Sequence, residues 1–438
     1  MNFRSSVEQI FMAGVESVLP DKMIRNQMSV NGSTLSIGHL SFSLDRIEKI
    51  YVIGAGKAGA LMASEIEAIL GGRITEGHVV VKYGSSAKLK YTNITEAGHP
   101  VPDTNGFKAT EEISKIASKA NEDDLVICLL SGGASSLLAD YPEGSSPEEM
   151  IKVNHLLVRS GANIYEMNAV RKHLSKIKGG QLAKTVYPAT LVSLILSDVI
   201  DDPLDVIASG PTVPDATTFN DALSILDKYQ LTSSIPPAVM EYLREGARGK
   251  CPETPKAKEV FFNRAHNLLT GSNKTALQTS SDEALKLRFN PVIVNSRMQG
   301  DSVKVSETLV EIALKYQSDR TQKKPVCLLF GGETTLKVTG NGLGGRNQHL
   351  ALNAALLLKD KPGITLLSAG TDGNDGPTNA AGAVVDADTI PFALSKNIDP
   401  IKHLREFDSY NFFKNAGGHI ITGPTMTNVM DMIIVIVE

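Results

Sequence analysis

The stretch IYVIGAGKAG, residues 50–59, joins a short apolar run to a glycine-rich turn. Ile50 to Ile53 is typical of a buried strand, and Lys57 to Leu70 has the spacing of an amphipathic helix. A strand that passes through small residues into a helix is the repeating element of α/β folds. This stretch therefore predicts an α/β architecture.

The same alternation of apolar runs and amphipathic segments continues on both sides of this stretch. The first half predicts strands at 79–81, 125–130 and 190–196 and a helix near 107–120. The second half predicts strands near 260 and 293, at 326–330, 364–367 and 433–437, and helices at 273–287 and 302–316. The pattern favours a parallel sheet covered by helices on both faces.

The chain has 438 residues, too many for one ordinary hydrophobic core, so we expect two domains. A proline-rich segment that contains Pro236, Pro237, Pro252 and Pro255 lies near the middle of the chain. Prolines interrupt regular structure and are common in linkers. We therefore predict domains at residues 1–255 and 256–438.

Composition excludes several classes of partner. The net charge is −4, without the basic excess that a nucleic-acid or anionic-membrane surface needs. No apolar run approaches the roughly 20 residues of a membrane span, and residues 1–19 predict an amphipathic helix rather than a signal peptide. The three cysteines lack metal-like spacing and are interpreted as reduced. We expect a cytoplasmic protein.

The loop at residues 54–59 matches the dinucleotide-binding fingerprint by its glycine spacing. That fingerprint also needs an acidic residue at the end of the next strand, and here Lys82 follows Val81 instead. We interpret the loop as an anion cradle that contains Lys57. A nicotinamide site and an ordinary tight turn with a solvated Lys57 are the alternatives.

A second glycine-rich loop follows the strand at 125–130. It combines hydroxyls with free backbone N–H groups, a composition common in phosphate-binding loops. An ordinary helix start capped by serine is the alternative. The candidate nucleotide-binding residues of this loop are Ser131, Gly132, Gly133, Ser135 and Ser136.

A third cluster, GGETT at residues 331–335, follows the apolar run 326–330 and precedes GGRNQ at 344–348. Free N–H groups after a strand, with a cation nearby, favour binding of a small anion. The planar fork of Arg346 suits a carboxylate or phosphate. Glu333 is alternatively a structural partner of Arg346. The candidate nucleotide contacts here are Gly331, Gly332, Glu333 and Thr334.

Two carboxylates follow predicted strands, where open α/β sheets bind ligands. Asp198 lies just after the strand at 190–196 and is a candidate base or magnesium ligand. Asp372, in the segment AGTDGNDGPTN at 369–379, is interpreted as a catalytic carboxylate, because an EF-hand glutamate is missing. His99, in a proline-rich loop, is interpreted as a hydrogen-bonded structural histidine, and a loop that lines the cleft is the alternative.

As an ordered set, these motifs resemble the class II glycerate kinases, also called the MOFRL family. The resemblance covers nearly the whole chain. Its matching segments are VIGAGKAG (from Val52), EAGHPVPD (from Glu96), LLSGGASSL (from Leu129), SDVIDDPLDVIASGPT (from Ser197), GGETT (from Gly331), GGRNQ (from Gly344), AGTDGNDGPTNAAGA (from Ala369) and TGPTMTNVMD (from Thr422).

The resemblance implies two α/β domains with the active site in the cleft between them. The first would be a Rossmann-like three-layer sandwich and the second a MOFRL-type mixed sheet with helices. Members of the family phosphorylate D-glycerate with ATP and a divalent cation such as Mg²⁺, and microbial members typically form 2-phosphoglycerate. The same kinase forming 3-phosphoglycerate, an NAD(P)-dependent oxidoreductase and a non-catalytic anion sensor are the alternatives.

By motif, Lys57 matches the family's essential lysine and Arg346 its essential arginine. Both are candidate catalytic and substrate-binding residues, and Asp198 is a third catalytic candidate. Asp372 and Asn379 are candidate substrate contacts, and Asp198 and Asp372 are candidate metal ligands. Three departures from the family pattern are Asp201, where glycine is commoner, His349, where glutamate is usual, and the loop Gly132-Gly133-Ala134-Ser135, where three glycines are usual. D-glycerate is the expected partner of a monomer or homodimer.

Overall fold

The computed structural model describes residues 3–438. The chain forms two compact units. We call Met23–Thr270 the central unit, and the residues up to Lys22 together with Gly271–Glu438 the terminal unit. No helix in the described part of the chain is both long enough and apolar enough to cross a membrane.

Helices and strands alternate through most of the chain. The helices are α1 (Arg4–Ser17), α2 (Pro20–Gln27), α3 (Gly59–Leu70), α4 (Thr104–Ser118), α5 (Ala134–Leu137), α6 (Pro147–Arg159), α7 (Ile164–His173), α8 (Gln181–Val186), α9 (Phe219–Lys228), α10 (Pro237–Ala247), α11 (Asn273–Lys286), α12 (Ser302–Ser318), α13 (Arg346–Leu358), α14 (Thr389–Ser395), α15 (Pro400–Arg405) and α16 (Ser409–Ala416). The strands are β1 (Met28–Asn31), β2 (Thr34–Ile37), β3 (Leu40–Ser43), β4 (Ile50–Ala55), β5 (Ile74–Lys82), β6 (Thr92–Ala97), β7 (Leu125–Leu130), β8 (Thr190–Leu196), β9 (Ala265–Gly271), β10 (Asn290–Asp301), β11 (Val326–Thr335), β12 (Ile364–Gly370), β13 (Gly382–Asp386), β14 (His419–Ile420) and β15 (Asp431–Val437).

The main sheet of the central unit has the strand order β6-β5-β4-β7-β8-β9. Its pairs β5–β6, β4–β5, β4–β7 and β7–β8 are parallel. This is the order of a doubly wound, Rossmann-like sheet, whose direction of winding reverses between its first and fourth strands. Here that reversal lies between β4 and β7. The predicted fold of the first half is therefore confirmed.

The sheet of the terminal unit has the order β10-β11-β15-β12-β13-β14. Only its β10–β11 pair is parallel, because β15 lies antiparallel to both β11 and β12. Every residue of β15 is buried, as its apolar sequence predicts. The mixed sheet implied by the family resemblance is confirmed, and the uniformly parallel sheet expected from the alternation alone is wrong for this unit.

The N-terminal helix belongs to the terminal unit. Its apolar face is buried, and Phe11 is fully inaccessible to solvent. The hydroxyl of Ser280 on α11 donates to the carbonyl oxygen of Ile10 at 2.9 Å. Gly14 lies where a side chain would collide with Ser280, so α1 packs closely on α11. The predicted amphipathic helix is confirmed at Arg4–Ser17.

The observed boundary between the units differs from the predicted one after residue 255. Thr254 donates through its hydroxyl to Asp215 Oδ2 at 2.9 Å, and the N–H of Asp215 donates to Pro255 O at 2.9 Å. These bonds hold the proline-rich segment to the central unit, and β9 then joins that unit's sheet beside β8. The strand expected near Val260 is wrong, because Val260–Arg264 is a 3-10 helix and β9 begins at Ala265.

Candidate functional site

The two glycine-rich loops of the central unit lie side by side at the carboxyl ends of β4 and β7. The N–H of Lys57 donates to Gly132 O at 2.9 Å, and the N–H of Ala58 donates to Ser131 Oγ at 3.1 Å. Gly56 has a φ of +131°, and a side chain there would collide with Ser131. Only glycine permits this approach. The structure therefore brings the loop at 54–59 and the loop at 131–136 together.

Three ionisable side chains surround Gly132 and Gly133 of the second loop. A side chain on Gly132 would collide with the carboxylate of Asp198. A Cβ on Gly133 would lie 2.8 Å from the imidazole of His99 and 3.6 Å from Lys57 Cε. We call Lys57, His99 and Asp198 the open cluster. It lies where the strand order of the sheet reverses, the usual ligand position in such folds.

The charges of the open cluster have few partners. Within the described chain, Lys57 forms no ion pair, and no other side chain donates a hydrogen bond to Asp198. Burial raises the pKa of Asp198, and the nearby charge of Lys57 opposes that shift. A lysine and an aspartate in this state can each accept a ligand without first breaking an ion pair.

His99 is a functional candidate that sequence reasoning kept only as the second alternative. We expected a hydrogen-bonded structural histidine, but its ring forms no hydrogen bond within residues 3–438. Burial lowers the pKa of His99 to about 4, and the positive charges of Lys57 and Lys82 add to the effect. His99 is therefore neutral near pH 7. No sequence pattern indicated that the segment EAGHPVPD would lie beside Gly133 of the second glycine-rich loop.

The serines of the second loop mainly hold the loop in shape. Ser136 Oγ donates to Gly133 O at 3.0 Å. Ser135 Oγ lies 3.0 Å from Ser209 Oγ, which also donates to Asn168 Oδ1 at 3.0 Å. Ser209 and Asp201 have left-handed backbones, with φ of 60° and 67°. Aspartate is among the non-glycine residues that tolerate this region, which explains Asp201 where glycine is commoner.

In the terminal unit, the GGETT motif is part of a strand rather than a loop. β11 continues to Thr335, and Gly331 and Gly332 pair with Met432 and Asp431 of β15. The expectation of free N–H groups directly after residue 330 is therefore wrong. The glycines serve close packing, since a side chain on Gly331 would collide with Asn273 of α11. Nucleotide contacts by Gly331, Gly332, Glu333 and Thr334 remain a prediction.

Arg346 begins α13 and is held by two carboxylates. Its Nε and Nη2 donate to Asp431 at 2.7 and 2.9 Å, and its Nη1 lies 2.8 Å from Glu333 Oε1. The side chain of Asp431 is only 3% exposed. Burial opposes the charge of Arg346, but the hydrogen bonds and charge of Asp431 raise its pKa. The structural pairing of Glu333 with Arg346 is confirmed. We call Arg346, Asp431 and Glu333 the clamped arginine.

The loop at 371–379 supports the same helix. Asp375 accepts hydrogen bonds from the N–H groups of Asn347 (3.0 Å) and Gln348 (2.8 Å), and burial raises its pKa to about 6. Asp372 Oδ1 accepts a bond from the N–H of Asn374 at 3.2 Å. Asn379 is exposed, and its Oδ1 accepts a bond from the Tyr410 hydroxyl. Sequence reasoning missed Asp375 and Asp431, which position α13 and Arg346.

His349, the second departure from the family pattern, has a packing role. It is buried on α13, and its ring stacks on Phe407 with centroids 5.0 Å apart and planes 9° from parallel. Burial lowers its pKa, so the ring is neutral near pH 7. The residue that replaces the usual glutamate thus adds no charge beside Arg346.

The described residues contain no group of three acidic, histidine or cysteine side chains that could hold a metal by themselves. Asp198 and Asp372 belong to different units. Magnesium commonly binds through one or two carboxylates together with substrate phosphates. A single partly buried carboxylate beside two glycine-rich loops, as at Asp198, is compatible with that mode of binding.

Comparison with known proteins agrees with this architecture. Residues 326–431 match the MOFRL family, and residues 6–244 match a domain of unknown function, DUF4147. The chain is 40% identical to the D-glycerate 2-kinase of Thermotoga maritima over 97% of this chain and 96% of that protein. It is also 40% identical, over 87% of its length and 85% of the other, to an Agrobacterium vitis protein provisionally named hydroxypyruvate reductase.

A solved glycerate kinase from Thermotoga maritima superimposes with a TM-score of 0.89 at 39% identity, covering 100% of this chain and 99% of that one. The fold and its two glycine-rich loops define a two-unit α/β protein of the MOFRL type. The chain belongs to the class II glycerate kinase family.

Proposed function

We propose that this enzyme transfers the terminal phosphoryl group of ATP to D-glycerate and forms 2-phosphoglycerate. The observation that carries the proposal is the open cluster, which places a lysine without an ion pair and a partly buried aspartate beside two adjacent glycine-rich loops. One relative named D-glycerate 2-kinase and another named glycerate 2-kinase support the choice of substrate.

Phosphoryl transfer depends on positioning and charge neutralisation more than on covalent catalysis. Lys57 is suited to neutralise the transferring group, because no ion pair in the described chain occupies its ammonium. Gly132, Gly133 and Ser131 would hold nucleotide phosphates. Asp198 would hold Mg²⁺ or accept the proton of the reacting hydroxyl, with Asp372 assisting. The cation would neutralise charge that develops on the phosphoryl oxygens.

Arg346 would contribute a second fixed cation from the other unit. Three of its N–H groups contact Asp431 and Glu333, which leaves others of its five for a ligand. Arg346 and Lys57 together would bind the anionic groups of ATP and glycerate, with Asn379 as a further substrate contact.

Phosphorus NMR of the purified protein with ATP, Mg²⁺ and D-glycerate tests the proposal. A 2-phosphoglycerate signal is the expected result. A 3-phosphoglycerate signal would retain the kinase but change the position of transfer. The proposal would be contradicted if the wild type and Lys57→Met hydrolyse ATP equally and neither forms a phosphorylated acid.

A nicotinamide-dependent reductase is the second candidate. The doubly wound sheet, the glycine spacing at 54–59 and the provisional name of the Agrobacterium relative favour it. The end of β5 disfavours it, because Lys82 stands where a ribose-binding carboxylate is expected. Titration of NADH fluorescence, with hydroxypyruvate as acceptor, decides between them. If NADH fluorescence is not quenched and NADH is not oxidised, the reductase is excluded.

A further inference from the structure

The loop that follows β8 has a strained backbone near its buried end. Ala208 and Ser209 have φ of 54° and 60°, in the left-handed region that residues other than glycine seldom adopt. Both are buried, with exposed fractions of 6% and 0%. Strain of this kind persists only where the surrounding structure holds it, and it is concentrated at functional sites. The contacts of these two residues therefore indicate what the strain is for.

Asn168 on α7 holds this backbone on both sides of Ala208. Its Nδ2 donates to Val206 O at 3.3 Å, and its Oδ1 accepts a bond from Ser209 Oγ at 3.0 Å. The side chain is only 1% exposed, so water does not compete for either bond. The N–H of Gly179 adds a bond to Ser209 O at 3.0 Å. Asn168 thus fixes both the path of the backbone and the position of the Ser209 hydroxyl.

The same hydrogen-bonded network continues into the second glycine-rich loop. Ser209 Oγ lies 3.0 Å from Ser135 Oγ, so Asn168, Ser209 and Ser135 form one continuous chain of polar contacts. Helix α5, which begins at Ala134 of the glycine-rich loop, packs on residues 207–209. The strained backbone is therefore the support on which this loop rests.

The loop after β8 touches the glycine-rich loop at two places. Asp198, at its start, lies against Gly132, and Ser209, near its end, lies against Ser135. These contacts lie on the two sides of Gly133. A shift of Ser209 would therefore move the glycine-rich loop relative to the carboxylate of Asp198.

We propose that Asn168 is a positioning residue for nucleotide binding. Through Ser209 and Ser135 it holds residues 131–136 in the shape that receives the phosphates of ATP, and the strained backbone is retained for this reason. The proposal rests on the function proposed above, in which this loop binds phosphate. Asn168 itself is buried and acts without touching the nucleotide.

Steady-state kinetics of Asn168→Ala is the first test. KM for ATP should rise by about 10-fold, because the loop loses two buried hydrogen bonds that hold its support. KM for D-glycerate should stay within about twofold, since the acid does not bind this loop in the proposal. A loss of stability alone would reduce the amount of folded enzyme and leave both KM values unchanged. That result would overturn the proposal.

Asn267→Ala is the matched control. Asn267 on β9 forms the same two kinds of bond with Thr212 of the same loop, accepting from its hydroxyl at 2.6 Å and donating to its carbonyl oxygen at 3.3 Å. Within the described chain, neither residue forms a hydrogen bond with residues 131–136. KM for ATP should therefore stay within about twofold of the wild type. A rise equal to that of Asn168→Ala would show a general loosening of the loop and would overturn the specific role of Asn168.

A change at Ala208 separates positioning from folding. Glycine adopts the left-handed backbone without the cost that alanine incurs, so the loop would depend less on Asn168. Adding Ala208→Gly to Asn168→Ala should therefore return KM for ATP to within about threefold of the wild type. No recovery would contradict the role assigned to the strain.

Ser209→Ala keeps the test decisive if Asn168→Ala does not fold. It removes the hydroxyl that joins Asn168 to Ser135 and should raise KM for ATP by about 3–10-fold. An unchanged KM for ATP in folded Ser209→Ala would overturn the proposal.

Calorimetric titration with ATP and Mg²⁺, without D-glycerate, makes the test independent of turnover. Weaker binding by Asn168→Ala and Ser209→Ala than by the wild type supports the positioning role even if D-glycerate is not phosphorylated. Equal binding by all three proteins, together with formation of phosphoglycerate by the wild type, overturns the positioning role and leaves the kinase intact.

Discussion

The open cluster of the central unit and the clamped arginine of the terminal unit present their cations in opposite ways. Lys57 forms no ion pair in the described chain, whereas Arg346 contacts two carboxylates through three N–H groups. Asp198 has no side-chain donor, whereas Asp431 also accepts a bond from Asn347 Nδ2 at 2.9 Å.

This difference separates two ways of preparing a site. The clamped arginine is oriented before any ligand arrives, so little side-chain entropy is lost on binding. The open cluster leaves the charge of Lys57 without an ion pair, so a bound ligand can supply the opposite charge that the protein does not. We therefore expect the clamped arginine to contribute to both stability and function, and the open cluster to contribute to function alone.

Lys57→Met should produce the largest effect. Turnover should fall by about 10³-fold or more, because a cation on the transferring phosphoryl group is lost. The free energy of unfolding should change by less than about 0.5 kcal/mol, since no ion pair is broken. An ADP-release assay and urea unfolding measure the two quantities.

Lys108→Met, at an exposed position on α4, is the control for Lys57→Met. A large loss of stability in Lys57→Met would show that the lysine is structural and would remove the contrast between the two regions.

Asp431→Asn should instead damage both properties. It leaves a partly buried Arg346 with Glu333 as its remaining carboxylate, and breaking a buried ion pair typically costs about 3 kcal/mol or more. Urea unfolding should show that loss together with reduced turnover. Glu333→Gln, at a half-exposed side chain, should have a smaller effect. Wild-type stability in Asp431→Asn would refute the clamp.

Gly132→Ala tests the geometry of the open cluster. Its new methyl group would collide with the carboxylate of Asp198, so the carboxylate must move. We expect turnover to fall by about 10-fold or more, since small misplacements of catalytic groups are costly. Gly72→Ala is the control, because its nearest neighbour would be the Tyr91 hydroxyl at 3.5 Å. Equal turnover in the two variants would place Asp198 outside the reaction.

The smallest expected effect is the dependence of stability on pH that arises from protonation of His99. Its pKa lies near 4, below its ordinary value of 6.5, so the native state takes up fewer protons than the unfolded chain between these values. The stability contribution of neutral His99 is therefore present above pH 6.5 and lost as the pH falls toward 4. NMR titration of the ring should show this pKa.

Lys57→Met should raise the pKa of His99, because it removes one of the two positive charges that lower it. An unchanged titration would mean that Lys57 does not face the histidine.

The sequence predicted those features that depend on local patterns. The strand at 50–55, its glycine turn and the following helix are encoded within about twenty residues, and so are the loops after β7 and β8. Partners that are distant along the chain were not predictable. Asp431 reaches Arg346 across 85 residues, and no spacing rule links them.

Other errors have equally physical causes. The glycines of GGETT resemble a loop in sequence, but Gly331 makes room for Asn273 of α11 and Gly332 for the backbone of Met298 on β10. An apolar run does not encode strand direction, so β15 gave no sign that it is antiparallel to β11. The strands β1, β2 and β3 were not predicted from the sequence, because each has only four residues.

The packing of α1 on α11 has a consequence for synthesis on the ribosome. Helix α1 is made before the central unit, yet its partner helix begins only at Asn273, after the whole of that unit. At roughly 5–20 residues per second, the interval is on the order of tens of seconds. Throughout that time the apolar face of α1 lacks its native cover, so α1 completes its packing only after α11 has been made.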